Sequence, residues 1–527
     1  MMLDFVFIVV PWISPFSVGP SPSYLQSLIS QGCCAFLFLT LVSSRDVTNY
    51  GKLCATAWLF AALVTCLMGL FQYFGVPAAL APLFNTTGLG EAYGNLRQRN
   101  QFATLTNMGM AALLWWIVRA PMRPAIQRDS ILRRWLLATS VVCAATLLAV
   151  GNAASSSRTG LLQLAMLVLL RWIWTRFGTG WRQSGVGRIL LIVLVAYGVA
   201  AVALPLLVGL DLKSTGILAR LHDGDPACAS RLTLWGNVLH LIAQRPWLGW
   251  GWGELDYAHF ITLYPGARFC DILDNAHNLP LHLAVELGIP AAFAVCALGL
   301  WLAWRARPWR EADAGRQMAW TVLALILLHS MLEYPLWYGP FQMAAGLCIF
   351  LLWTSRAARS ASAAPAAVAS RQRNRPLASV FIRNFAIVLI AFVGYAAWDY
   401  HRISQIYLAP EQRAAAYRDN TLEKMGDSWL FRDQVRFAQL TITSLSAENA
   451  LQVNALAKHL LHFSPEPRVI EKLIESAVLL GRDDEALFYL QRYRAAFPER
   501  HARWAAMQRH SRCLGGPAPL DCILDGR

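Results

Sequence analysis

Long apolar runs, separated by short polar connectors, dominate the chain. They lie at about 3–19, 22–42, 53–74, 102–118, 135–151, 160–175, 189–210, 280–304, 317–332, 341–355 and 384–398. Most approach or reach the roughly 17–25 residues a helix needs to cross a bilayer. The pattern predicts an all-α polytopic membrane protein with about 11 transmembrane helices. The first run opens "MMLDFVFIVV", with an acid where a cleavable signal peptide carries basic residues, so it reads as a span or a truncated start.

Two stretches break the pattern. Residues 211–279 form a long loop, in which apolar positions recur at helical spacing from Leu232 to Ile242. That predicts an amphipathic helix lying along the membrane surface, followed by a Gly/Trp-rich turn. Its Trp residues either anchor at the interface or stack on sugar faces. After about residue 399 the composition becomes mixed in charge. There "GRDDEALFYLQRYRAAFP" looks like half of a tetratricopeptide-type hairpin, without three clean 34-residue repeats. The expected organisation is N-terminal transmembrane helices over 1–210, a large loop over 211–279, and C-terminal transmembrane helices over 280–398. A small helical, TPR-like domain follows over 399–527. Residues 356–383 read as a linker, because "RAARSASAAPAAVASRQRNRP" lacks helical amphipathy.

Composition sharpens the class. Of 527 residues, 56% are hydrophobic and 15% charged, with mean hydropathy +0.40; soluble domains carry about 25% charged residues. The net charge of +15 raises the question of nucleic acid. Its distribution argues against it: Arg119, Arg133, Arg171, Arg188, Arg305, Arg316 and their neighbours gather in alternate connectors. This is the positive-inside pattern of cytoplasmic loops. Segments 75–101, 152–159, 211–279 and 333–340, with everything after about 400, are then expected to face outward. Cys33, Cys34, Cys54, Cys66, Cys143, Cys296 and Cys348 fall in or beside the runs. Cys228 with Cys270, and Cys513 with Cys522, make two outward pairs, either disulfides of an oxidising compartment or free thiols.

Polar residues at membrane depth are costly and mark function. Four clusters stand out, all expected at the outer face. "GNLRQRNQFATL" carries Arg99, Asn100 and Gln101, either a polar helix cap or donors for an anion or sugar. "GNAASSSRTGLL" places Arg158 at a tip between two spans, where it either snorkels to headgroups or grips a lipid phosphate bidentately. In the long loop, Arg231 precedes a helix whose N-terminus also favours anions. The last cluster holds "DNAHNLP", with His277 and Asn278, and "LLHSMLEYPLWYGP", with His329, Glu333 and Tyr334. HExxH, CxxC and Gly-rich phosphate motifs are missing from the sequence, so neither metal nor nucleotide cofactor is expected. Arginines, histidines and aromatics without those devices suit glycan transfer from a polyprenyl-linked donor: the leaving diphosphate needs cations and the attacking hydroxyl needs a base. A polytopic transporter of the same lipid-linked glycan is the reading from another class. It is disfavoured because the polar residues gather at one face rather than at mid-membrane.

"SSSRTGLLQL", "SRLTLWGNVLHLIAQRPWLGWGWG" and "DNAHNLPLHLAVELGIPAA" together resemble the O-antigen ligase superfamily. "GNLRQRNQFATL" and "HSMLEYPLWYGPF" resemble its protein O-oligosaccharyltransferases, or pilin glycosylation ligases. The likeness covers about 90–345. The family's His, Asn-type residue, nine residues and Gly are matched by His277, Asn278 and Gly288; three residues on, Ala291 stands where Gly, Thr or Tyr is usual. The Arg-x-x-x-Leu pattern is matched from Arg158 to Leu162. The resemblance implies that His277 activates the acceptor hydroxyl. It assigns the donor diphosphate to Arg158 and Arg231, and orienting or donor-binding roles to His329, Glu333 and Tyr334. It implies metal-independent, inverting transfer from undecaprenyl diphosphate to Ser or Thr of exported proteins such as pilins. Within the class, the alternatives are transfer to lipid A–core or polymerisation of O-antigen.

Overall fold

The computed structural model describes residues 2–14, 24–43, 50–76, 80, 83–85, 87–119, 131–177, 184–213, 215–223, 227–363 and 366–513. Among these no strand occurs, and each of the eleven apolar runs is mainly helical over its described residues. In chain order the first helices are α1 Met2–Ile13, α2 Leu25–Ser43, α3 Tyr50–Phe74, α4 Arg99–Arg119, α5 Ile131–Ala154, α6 Arg158–Phe177 and α7 Ser184–Leu207. Next come α8 Gly216–Asp223, α9 Arg231–Gln244, α10 Leu255–Ile261, α11 Leu279–Leu287, α12 Ile289–Ala306, α13 Ala314–Ser330 and α14 Gly339–Ala363. The chain closes with α15 Ala366–Ser404, α16 Arg432–Ile442, α17 Ala450–Leu461, α18 Pro467–Leu479, α19 Asp483–Ala496 and α20 Pro498–Cys513.

Among the described residues, six segments are long and apolar enough to cross a membrane: Tyr50–Phe74, Trp135–Ala154, Arg158–Phe177, Gly185–Leu207, Ile289–Arg310 and Val380–Tyr407. The helices α1, α2 and α14 hold shorter apolar segments. The protein is thus a polytopic, all-helical membrane protein. The less apolar α4 has a different place. It is buried on every side from Gln101 to Trp115, packed by α3, α5, α6 and α13. A helix enclosed by other helices can carry polar side chains that lipid would exclude, provided each finds a partner. Asn107 does so, donating to Ala103 O (3.0 Å) and Gly160 O (3.2 Å).

One expected feature folds differently. The run at 280–304 breaks at Gly288 (φ +88°) into α11 and α12. The stretch 356–383 is helical in backbone apart from 364–365, which lie outside the described residues. Its alanines and arginines are strong helix formers whether or not the helix has an apolar face.

The chain divides into two compact units, Met1–Gly224 with Leu300–Ala397, and Asp225–Gly299 with Trp398–Arg527. The first is built on α1–α8 and α13–α14. In the second, Leu234, Val238 and Leu241 of α9 pack with Leu255, Leu273, Ala276 and Val285. The apolar stripe of α9 therefore faces protein, with α11 as a direct neighbour, rather than the membrane surface expected from its periodicity. Phe260 of α10 enters the core formed by α16–α20. Arg492 Nε donates to Ile261 O (2.6 Å), and the Tyr257 ring stacks on His462 at 3.8 Å. The long loop and the C-terminal helices are one packing unit, so those helices help hold the loop. Cys228 and Cys270 form a disulfide within it, Cα–Cα 5.3 Å. Of the other proposed pair, Cys522 lies outside the described residues.

Candidate functional site

In the first unit, polar groups far apart in sequence meet around the N-terminal turn of α4. Asn100 donates from Nδ2 to Glu333 Oε1 (3.2 Å) and accepts at Oδ1 from Ser157 Oγ (2.6 Å). Ser157 Oγ in turn accepts from Gly160 N (3.0 Å), capping α6. Ser156 takes φ +50°, completing the reversal between α5 and α6 in three residues. Arg158 is thereby the first residue of α6, next to a serine bonded to α4. One turn along α4, Thr104 Oγ1 lies 2.9 Å from His329 Nδ1 and accepts from Gln163 Nε2 (2.9 Å). The hydroxyl's single hydrogen goes to Asn100 O (2.8 Å). With the hydroxyl hydrogen on Asn100 O, Thr104 Oγ1 receives His329 Nδ1 and Gln163 Nε2 as donors. His329 is fully buried.

The remaining expected residues of this unit have mixed placements. Arg99 is half-exposed and ion-paired with Glu91 (3.1 Å), so its charge is shared within the fold. Gln101 is 1% exposed, and neither end of its amide has a hydrogen-bond partner; a buried unsatisfied amide is rare in native proteins. Tyr334 stacks on Tyr338 at 5.7 Å, and the Arg97 guanidinium lies 5.9 Å from the Tyr338 ring. Thr104, Ser157 and Gln163 escaped the sequence reading as site residues. Gln163, a single amide inside an apolar run, was the available signal.

In the second unit the chain presents His277 at the head of α11. Its φ is +49°, an uncommon and strained backbone for a residue with a Cβ. Asn275 Oδ1 holds the turn by accepting from His277 N (3.0 Å). Asn278, expected to bind substrate, uses its Oδ1 as the N-cap of α11, accepting from Leu281 N (3.1 Å). Pro280 occupies the first turn, where its missing N–H costs nothing. Ser230 caps α9 by accepting from Thr233 N (3.2 Å). The next residue, Arg231, brings its Nη1 to 2.8 Å from His277 Nδ1.

The nine residues between Asn278 and Gly288 are α11 itself, which gives the spacing its physical meaning. Behind α11, the Gly/Trp turn runs along its C-terminal end: Trp250 N donates to Val285 O (2.9 Å), Gly251 N to Glu286 O (3.0 Å), and Ile289 N to Pro246 O (2.8 Å). A Cβ on Gly288 would lie 2.1 Å from Trp247 O, and one on Gly249 2.3 Å from Glu286 O. Two segments some 35 to 43 residues apart thus pack backbone against backbone, through glycines.

Inside α11, His282 and Glu286 are each 2% exposed, with Nε2 and Oε2 3.5 Å apart. Burial pushes the Glu286 carboxyl up to about 7. Burial, with a smaller contribution from His277, holds His282 down to about 4. Both groups are therefore neutral between those values, and the contact is not an ion pair there. Below about 4.5 the Glu286 carboxyl is protonated whether the chain is folded or not. Between 4.5 and 7 only the unfolded chain ionises, so the group's contribution to stability falls as pH rises. Glu286→Gln cannot ionise. Its melting temperature relative to the wild type is expected to rise from pH 4.5 to 7.5 and level off above, when followed by thermal unfolding in detergent. A constant difference would mean that the folded carboxyl titrates normally.

Comparisons with known proteins bear on this geometry. Residues 92–117, with Asn100 and Thr104, match the protein glycosylation ligase family. Residues 141–296, with Arg158, Arg231 and His277, match the O-antigen ligase family. Residues 317–511, with His329 and Glu333, match the family described as virulence factor membrane-bound polymerase, C-terminal. The chain is also 22% identical to the general O-oligosaccharyltransferase of Acinetobacter baylyi, over 79% of its own length and 69% of that protein's. With its apolar helices, the chain is a multi-pass membrane protein, and over these segments it is similar to the O-antigen ligase and protein glycosylation ligase families, which indicate an enzyme of the oligosaccharyltransferase or ligase type.

Proposed function

We propose that the protein transfers a preassembled oligosaccharide from undecaprenyl diphosphate to a Ser or Thr hydroxyl of an exported protein such as a pilin, at the periplasmic face of a bacterial inner membrane. The observation that carries this reading is the guanidinium and imidazole held 2.8 Å apart on a strained loop, because transfer from a diphosphate needs a cation for the leaving group and a base for the acceptor. The periplasmic orientation is supported by the basic connectors and by the Cys228–Cys270 disulfide in the same loop, a bond suited to an oxidising compartment. In this reading His277 takes the acceptor proton, and Arg158 and Arg231 bind the diphosphate. Attack opposite the leaving diphosphate inverts the anomeric carbon, and no metal takes part. Tyr334, His329 and Glu333 orient the donor.

The match over 141–296 favours a second reading, transfer to lipid A–core. Proteoliposomes loaded with lipid-linked glycan and offered both a pilin and lipid A–core decide between them. The proposal expects glycosylated pilin, unaffected by EDTA. Label in lipid A–core alone favours the second reading, and inhibition by EDTA overturns metal independence.

Arg158→Lys keeps the charge but loses the planar fork that meets a phosphate through two bonds. A rise of roughly 10-fold in the donor KM is expected, about 1.4 kcal/mol, with acceptor KM unchanged. Steady-state kinetics at varied donor measure it; an unaltered donor KM removes Arg158 from the diphosphate.

A further inference from the structure

We propose that Arg231 gates His277: the guanidinium occupies the basic nitrogen of the imidazole until the donor's diphosphate draws it away. This rests on the reading that the donor is a polyprenyl diphosphate. A guanidinium has five N–H donors, no acceptor, and a permanent charge. A ring position 2.8 Å from Arg231 Nη1 must therefore accept. A ring C–H cannot, and a doubly protonated imidazolium would set N–H against N–H. Nδ1 of His277 is consequently the lone-pair nitrogen, and the neutral ring carries its hydrogen on Nε2.

A general base works through its lone pair, and in this arrangement that lone pair belongs to Arg231. The backbone that carries the ring is held by Asn275 and by the cap at Asn278. Of the two groups, the arginine is the one able to re-aim: it is a long side chain, half-buried, on the first residue of α9. A diphosphate offers it a better partner than a neutral imidazole. A guanidinium–phosphate contact joins opposite charges through two parallel bonds, whereas the neutral imidazole offers the guanidinium one acceptor and no opposite charge.

Donor binding then exchanges the partners. Arg231 moves to the diphosphate and Nδ1 is released. The acceptor hydroxyl gives its proton to Nδ1 as its oxygen bonds to the anomeric carbon. The bond from that carbon to the diphosphate oxygen breaks, and its electron pair leaves on the diphosphate held by Arg231. The imidazolium later returns the proton to water. The base is thus switched on by the substrate that needs it, and hydroxyls are not activated at an empty donor site.

The test uses full-length protein in nanodiscs, labelled with 15N-histidine, with the His277 signals identified by their loss in His277→Asn. The probe is geranylgeranyl diphosphate, a carrier analogue without glycan, and its binding is followed on the same samples by 31P NMR. Without probe, the Nδ1 signal of wild type is expected to be that of a lone-pair nitrogen accepting a hydrogen bond. Saturation with probe should move it to the position of a released lone pair. In Arg231→Met it should already be there and should stay there. Binding with Nδ1 unmoved overturns the gate and leaves the donor reading standing, as does a wild-type Nδ1 signal in Arg231→Met. Failure of the diphosphate to bind removes the donor reading, and the gate with it. Should Arg231→Met not fold, the wild-type titration alone decides between gate and no gate.

Discussion

Replacing His277 by alanine is expected to lower transfer by about 10²- to 10⁴-fold, the usual contribution of a positioned general base, while leaving expression and membrane insertion intact. The substitution also changes the backbone, because alanine at φ +49° lacks the local hydrogen bonding that lets some polar residues adopt this conformation. His277→Asn separates the two effects. Asparagine tolerates the left-handed region but cannot exchange a proton near neutral pH. Both variants should lose transfer, and only the alanine variant should also lose stability, by about 1 kcal/mol. Transfer by His277→Asn within a few-fold of wild type, in the proteoliposome assay, would end the general-base assignment.

Gly288→Ala is expected to have the largest effect on stability. The new Cβ would lie 2.1 Å from Trp247 O and 2.5 Å from Trp247 C, both backbone atoms that no rotamer change can remove. The residue would also hold φ +88°, which L side chains rarely adopt. Overpacking and strain together point to about 3 kcal/mol or more. The displaced turn would give up its bonds to Val285 O and Glu286 O, loosening α11 and the head that carries His277. Gly299, inside α12, is the control: a Cβ there meets nothing within 4 Å, so Gly299→Ala should be neutral or slightly stabilising. Thermal unfolding of the three proteins measures the contrast, and a Gly288→Ala variant as stable as Gly299→Ala would contradict the packing described.

What was legible in the sequence parts from what was not along a physical line. Helical class and the positions of the apolar runs were legible because they depend on local periodicity, and the described residues of the runs are mainly helical. The polar clusters stood out as well, because an amide or arginine among apolar residues is visible without knowing its partner. Where local pattern served two ends, it misled. The stripe on α9 fits a membrane surface as well as a protein core, and only the packing with α11 chose the core. The apolar run at 280–304 was continuous by composition, while Gly288 and the close approach of Trp247 broke it.

Partnership was beyond sequence reading. Asn100 and Glu333 are 233 positions apart, and Asn100 and Ser157 are 57 apart; nothing in either neighbourhood names the other. Arg99 and Asn278 looked like ligand-binding groups by type, but the fold gives the first a Glu91 partner and the second a helix to cap. Sequence by itself determined a multi-helix membrane protein with basic and imidazole groups at the helix ends, because hydropathy and residue chemistry are carried by each residue alone. Tertiary structure decided which of those groups touch, and with that the protonated nitrogen of His277, because a hydrogen bond's direction depends on the atom facing it.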